Sequence, residues 1–372
     1  MTKRTRLIIL IACAACFFII APILVAYSMG YRFDFEKMKI TATGGIYVKT
    51  SPATEQIIID SKIIERPGMF SNSIFAQSLL PNNHTILIKK NNYYDYFKTL
   101  PVQEKEVTKL ENVLLFKKNI AFEIVADQTK SPFITQEKFL IKNSNLYYSN
   151  VLENNGIAAS EKSTPLLKKI TAFALQNNNI LWLGTDGFLY KSDLTNLTAN
   201  PVKTILTPMK ITKTGSYKII ANNKNIFVNN NANLLLLNTK TNELDSFANS
   251  VKDAKISPDG KNIVYFGAKN LYISLLSDES KKKMLLYQSP EEITGCIWLN
   301  NDYVFISSAT KIIISEIDYR GNINTVTLPQ IIIVSPTEKV EIKNPQIFFN
   351  RQEGRLYILT DKILLSSEKL TP

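Results

Sequence analysis

Apolar and polar positions follow two different rhythms along this chain. Leu7 through Ala26 reads LIILIACAACFFIIAPILVA, twenty residues without a charge. A helix of that length rises about 30 Å, which matches the hydrocarbon core of a bilayer. After residue 42 the pattern changes to short β-branched and aromatic runs separated by Pro/Asn turn clusters. Gly45–Thr50 precedes the turn Ser51-Pro52-Ala53-Thr54, and Glu55–Asp60 precedes Ser61-Lys62. Leu80-Pro81-Asn82-Asn83 leads into His84–Lys89, and Asn91-Asn92 into Tyr93–Lys98. These alternations predict a small antiparallel sandwich.

From about residue 119 a longer period begins. Runs such as Leu181-Trp182-Leu183, Val264-Tyr265-Phe266 and Val304-Phe305-Ile306 are each followed by a polar turn and another β run. Taking Leu146, Leu189, Leu234, Leu271, Ile312 and Ile363 as equivalent gives spacings of 43, 45, 37, 41 and 51 residues. A repeat of about 40–45 residues with four strands per unit points to a β-propeller. The count is about six blades, with five and seven as alternatives. Ile120–Ala126 is placed to supply the outer strand that the last unit lacks, hiding both open edges.

The expected class is therefore all-β after an N-terminal transmembrane helix. The domains expected are a cytoplasmic tail at 1–6, a signal anchor at 7–29, a mixed-charge stalk at 30–42, a β-sandwich at 43–118 and the propeller at 119–372.

Two segments resemble known families. Thr50-Ser51-Pro52-Ala53-Thr54, Ile59-Asp60-Ser61, Leu80-Pro81-Asn82-Asn83-His84 and Asn92-Tyr93 occupy the places of the strand, turn and hairpin signals of a PEGA domain. Asn stands at two turns where that family has glycine. The resemblance covers residues 43–118 and implies a surface-associated structural or adhesive module. Ser257-Pro258-Asp259-Gly260-Lys261 resembles the blade hairpin of TolB-like and WD-repeat-like propellers. There Pro and Asp set the turn and Gly supplies the positive φ.

Charge orients the anchor. Lys3, Arg4 and Arg6 precede Leu7, and Tyr27 and Tyr31 follow Ala26 where interfacial aromatics belong. The positive-inside rule puts residues 1–6 in the cytoplasm and the chain after Met29 outside, as a single-pass type II protein of the cell membrane. Two processed forms compete with a retained anchor. Ala26-Tyr27-Ser28 has the small-x-small form of a signal-peptide cleavage site, and Leu10-Ile11-Ala12-Cys13 resembles a lipobox.

The net charge of +12, from 44 basic and 32 acidic residues, forms no Arg/Lys stripe, which argues against nucleic-acid binding. It leaves room for weak attraction to an anionic envelope polymer or membrane surface. With only 13 glycines, Asn is expected to take left-handed turn positions.

The residues for catalysis are sparse. His84 is the one histidine, in a hairpin position, and no Gly-x-Ser-x-Gly elbow occurs. Asp186, Asp259, Asp302 and Asp361 fall in or beside turns, where Asp is common for backbone reasons. Cys13 and Cys16 lie in the apolar run and Cys296 stands alone, so no disulfide, metal site or cofactor is expected. Trp182, Trp298 and Cys296 read as core. The expectation is a non-enzymatic, membrane-anchored binding or scaffold protein whose ligand is an envelope protein or glycan. The alternatives are a glycosidase-like envelope hydrolase using propeller carboxylates and an accessory factor in envelope assembly.

Overall fold

The computed structural model describes residues 3–54, 56–64, 72–125, 139–148, 164–197, 201–277 and 282–371. These residues are mostly β, with one α-helix, Lys3–Ser28, at the N-terminus. The helix runs through Pro22. Arg4–Ser28, with a mean hydropathy of 3.1, is long and apolar enough to cross a membrane. Its end is defined by backbone bonds from Met29 N–H to the Val25 carbonyl at 2.9 Å and from Gly30 N–H to the Tyr27 carbonyl at 3.2 Å. Gly30 then adopts φ +85°, the left-handed conformation that stops a helix without a Cβ penalty.

The segment expected as a bare stalk is instead a β-hairpin, Tyr31–Asp34 paired with Lys39–Ala42. Its turn closes because Asp34 Oδ1 accepts the N–H groups of Glu36 at 3.0 Å and Lys37 at 3.1 Å. Four-residue strands with mixed charge carry too little alternation for the sequence pattern to reveal them.

The chain divides into two compact units. The first runs to Ile120 and includes the later segment Arg320–Asn324, and the second comprises Ala121–Tyr319 and Thr325–Leu370. Besides that hairpin, the described residues of the first unit form two sheets. One orders Ser73–Leu79, Gly44–Ser51 and Val107–Leu114; the other orders Lys62–Ile64, Gln56–Ile59, Asn83–Lys89 and Tyr96–Pro101. Both contribute to one core of Ile46, Val48, Ile57, Ile59, Ile74, Ile86, Ile88, Leu100 and Leu110. The expectation of wholly antiparallel pairing fails at one place, since Gly44–Ser51 and Val107–Leu114 run parallel. Their separation of more than fifty residues leaves no local hairpin to announce the pairing. Lys98 is fully buried among this unit's strands and donates from Nζ to the Asn322 carbonyl at 3.0 Å.

The second unit is a series of antiparallel meanders. Sheet 1 holds Phe139–Lys142, Asn145–Tyr148 and Leu167–Lys168. Sheet 2 holds Ile170–Gln176, Asn179–Gly184, Leu189–Asp193 and Val202–Lys203. Sheet 3 holds Lys218–Ala221, Ile226–Asn229, Asn233–Asn238 and Glu243–Asn249. Sheet 4 holds Asp253–Ile256, Asn262–Phe266, Asn270–Leu275 and Met284–Gln288. Sheet 5 holds Ile293–Trp298, Tyr303–Ser308, Ile312–Glu316 and Thr325–Thr327. Sheet 6 holds Gln346–Asn350, Arg355–Thr360 and Ile363–Lys369, and Phe122–Ile124 joins it as a fourth strand. That join pairs Phe122 with Ser367 and Ile124 with Leu365, as the run at 120–126 led one to expect. Residue 126, with 127–138, lies outside the described residues.

The repeat has a physical origin. Leu189, Leu234, Leu271, Ile312 and Ile363 all lie at the start of a third strand, whereas Leu146 lies in the middle one of the three strands that the described residues of sheet 1 form. Second strands Asn179–Gly184, Asn262–Phe266 and Tyr303–Ser308 are buried on both faces, the last along its whole length, which is why they read as continuous apolar runs. Their side chains pack sheet upon neighbouring sheet. Ile180 and Trp182 of sheet 2 meet Phe139 and Leu146 of sheet 1. Leu181 and Leu183 meet Ile219 and Val228 of sheet 3. Phe227 and Leu234 meet Ile263 and Tyr265 of sheet 4.

Candidate functional site: the first-strand row of the second unit

Residues at the start of each meander are the ones placed to act together. The first strand of sheet 2 packs on that of sheet 3, sheet 3 on sheet 4, sheet 4 on sheet 5 and sheet 5 on sheet 6. Along this row the alternating pattern puts Ala254 into the core and leaves Asp253 and Lys255 on the opposite, partly exposed side.

Charge gathers there. Lys218 Nζ, from sheet 3, donates to both carboxylate oxygens of Asp253 in sheet 4, at 2.7 and 2.9 Å. Lys255 Nζ lies 3.8 Å from Asp253 Oδ2. Burial lowers the Lys255 pKa, and the neighbouring Lys218 charge lowers it further, while Asp253 opposes both. On the next strand Cys296 is buried, and burial, with the Asp253 charge, pushes its thiol pKa up. Trp298 Nε1 donates to the Lys255 carbonyl at 3.0 Å, and Asn229 Nδ2 to the Lys252 carbonyl at 3.1 Å. These two bonds fix the strand that carries the cluster to the sheets on either side of it. Lys252 also pairs with Glu292.

Two ammonium groups thus share one carboxylate, and the Lys255 side chain keeps 40% of its surface exposed. That set can hold an anionic group of a ligand through charge-assisted hydrogen bonds. Among the described residues no three His, Cys, Asp or Glu side chains come together as a metal site would require.

A second row lies at the turns between first and second strands. Ser257-Pro258-Asp259-Gly260-Lys261 is one of them. Ser257 Oγ donates to Asp259 Oδ1 at 2.6 Å and accepts Asn262 N–H at 2.9 Å, while Lys261 N–H reaches Asp259 Oδ1 at 3.1 Å. Burial raises the Asp259 pKa, but the Ser257 bond, the Lys261 N–H and the Lys261 charge outweigh it and hold the carboxyl below its usual range. Gly260 has φ +73°. This turn links to its neighbours: Asn222 Nδ2 donates to the Gly260 carbonyl at 3.3 Å, and Asp259 N–H to Asn301 Oδ1 at 3.0 Å. Gln176 Nε2 makes the equivalent contact to the Asn222 carbonyl. The motif acts as one link between consecutive sheets.

Other sequence-selected residues have structural surroundings. Asp186, Asp259, Asp302 and Asp361 occupy turns or bends, and Asp186 accepts the Tyr190 hydroxyl at 2.7 Å. Trp182 and Trp298 are buried. His84 contacts the Asp60 carboxylate through Nδ1 and the Leu80 carbonyl through Nε2 at 2.7 Å, bracing its hairpin. Lys3, Arg4, Arg6, Leu7, Ala26 and Tyr27 all lie on the N-terminal helix.

Lys218, Asp253 and Lys255 were not legible as a site. The one local signal is a pair of charged residues alternating with Ala254 and Ile256 inside a strand; their meeting with Lys218 depends on sheet-on-sheet packing. The chain matches no protein-family model, and no curated protein is similar to it.

Proposed function

We propose that this chain is a membrane-anchored, extracytoplasmic binding or scaffold protein, made of a PEGA-like sandwich and a TolB-like propeller of six blades. An envelope glycan or protein is its ligand. Support for the propeller is the chain-order packing of first strands, the shared cores between neighbouring sheets, and Phe122–Ile124 joining the final sheet. A ring fastened by pairing its first and last strands leaves no open edge. The Lys218–Asp253–Lys255 cluster is then an anion-holding position on the innermost strands.

The observation that carries the reading is the apolar N-terminal helix, preceded by basic residues and followed by described residues whose regular structure is all β. The test has two arms. In membranes, the full chain stays in the pellet after alkaline washing, and protease added to the outer face degrades the β-rich bodies. The detergent-solubilised chain is retained on anionic envelope polysaccharide, and K218A/K255A elutes at lower salt. Release by alkaline wash, or protection of the β bodies from external protease, refutes the anchored orientation. Equal elution of the variant refutes the role given to the cluster.

A further inference from the structure

Beyond the anchor lies an apolar surface that the folded unit does not cover. On the hairpin Tyr31–Asp34/Lys39–Ala42, Phe33 and Ile40 face each other across the strands. Phe33 is 42% exposed, Phe35 80%, Met38 73% and Ile40 68%. Phe33 and Phe35 pack edge to face with ring centroids 5.0 Å apart. Single exposed apolar residues are ordinary, but four within eight residues of one hairpin mark a contact surface.

The other side of the hairpin is held to its own unit by polar bonds. Arg32 donates to Ser78 Oγ at 3.1 Å, Thr41 Oγ1 to Glu104 Oε1 at 2.6 Å, and Lys37 Nζ to Asn82 Oδ1 at 2.7 Å. The hairpin is therefore braced, with its apolar side chains turned away from those bonds.

Its position says what covers it. The first strand begins three residues after the helix ends, and Gly30 turns the chain there. Arg32 reaches back over the Tyr27 ring, 3.4 Å from its centroid, and donates to the Tyr27 carbonyl at 2.7 Å. The strand is thereby bent against the helix end and does not lead straight away from it. The polar layer of each leaflet is about 5–8 Å deep, so a hairpin rooted at that point starts within it. Exposed Lys39 supplies a basic group for anionic headgroups, with Glu36 as the exposed acid beside it.

We propose that this hairpin is a second membrane contact, in which Phe33, Phe35, Met38 and Ile40 enter the headgroup–acyl boundary of the outer leaflet beside the anchor. The inference rests on the anchored reading above. Its consequence is that the first unit is held against the bilayer surface by two attachments, where a stalk would leave it free to pivot. Phe, Met and Ile side chains at such a depth bury apolar area in the headgroup–acyl boundary, as the apolar faces of interfacial helices do.

The test uses the full chain in nanodiscs of mixed zwitterionic and anionic lipid. Cys13 and Cys16 are replaced by Ala; Cys296 is buried and escapes labelling. An environment-sensitive dye is placed at residue 35 through F35C, or at residue 17 through F17C. With the dye at 35, the expected result is a blue-shifted emission that shallow spin-labelled lipid quenches more than deep spin-labelled lipid or aqueous iodide. With the dye at 17, the deep label quenches most. Adding F33D/I40D should return the dye at 35 to iodide-accessible, red-shifted emission.

Iodide access at 35 with lipid quenching at 17 overturns the hairpin contact and leaves the anchor standing. Absence of lipid quenching at 17 overturns the anchor itself. A blue-shifted dye at 35 that neither lipid nor iodide quenches means that protein covers the patch, which overturns the lipid assignment. Lipid quenching that survives F33D/I40D belongs to the dye and overturns it as well.

Discussion

The two units bury their apolar side chains by different arrangements. In the sandwich one cluster draws Ile46, Ile57, Ile74, Ile86, Tyr96 and Leu110 from six strands spread across more than sixty residues of sequence. In the second unit each cluster joins two neighbouring sheets, as Leu183 with Val228, or Phe227 with Ile263. A core shared by all strands makes each of them necessary to every other. Cores shared only between neighbours approach a sum of local terms, as in repeat proteins. Truncating a fully buried side chain in each should therefore leave damage of different extent.

The largest effects test that contrast directly. Ile86 and Phe227 are both fully buried. Ile86→Ala should cost about 2–5 kcal/mol and Phe227→Ala about 3–5 kcal/mol, from lost transfer energy plus the cavity left behind. Native-state hydrogen exchange separates the two cases. In I86A, protection should fall together across both sheets of the sandwich. In F227A it should fall first in sheets 3 and 4 and least in sheet 6. A uniform loss over sheets 2 to 6 would mean that the second unit opens as one cooperative body and that the contrast is false.

A smaller effect tests the links between sheets. Gly260 has φ +73°, and a Cβ there would lie 2.9 Å from Asn222 Nδ2, the group that donates to the Gly260 carbonyl. Gly260→Ala should cost about 1–2 kcal/mol for the left-handed backbone alone. The added methyl also crowds the link to sheet 3, so exchange at Asn222 and its neighbours should quicken in step with the fall in melting temperature. A change confined to the turn itself would show that the turn row contributes nothing between sheets.

How much of this was legible in the chain follows from the range of each interaction. Leu7–Ala26 declares a helix because twenty uncharged residues have few other uses. The sheets of the second unit declare themselves because Leu189, Leu234, Leu271, Ile312 and Ile363 recur at matching points of each meander. Asn92, Asn143, Asn177, Asn231, Asn242 and Asn344 all have positive φ, so the turns short of glycine do use asparagine. The hairpin at 31–42 was hidden because Phe33 and Ile40 point outward, against the alternation that marks a half-buried strand. The parallel pair Gly44–Ser51 and Val107–Leu114, and the Lys218–Asp253 contact, were hidden because each depends on where distant strands come to rest.

The smallest expected effect isolates the charged contact inside the sandwich. The Asp60 carboxylate is 41% exposed and touches His84 Nδ1, the Thr85 N–H at 2.9 Å and the Thr85 hydroxyl at 3.3 Å. Burial works against its ionised form, but the bonds from His84 and Thr85, with the His84 charge, outweigh burial and hold its pKa below the ordinary 3.8. A carboxylate whose pKa is depressed on folding stabilises the native state above its unfolded value, and that stabilisation is lost as pH falls through the folded one. Asp60→Asn should therefore lower the urea midpoint slightly near about pH 5, and the gap from the parent should narrow as the pH falls below the unfolded carboxylate range. Solvent screening keeps the effect small. Because the sandwich has one shared core, the shift should appear at every strand alike. If the gap instead stays constant into strong acid, Asp60 acts through turn geometry at its φ of +48° and not through its charge.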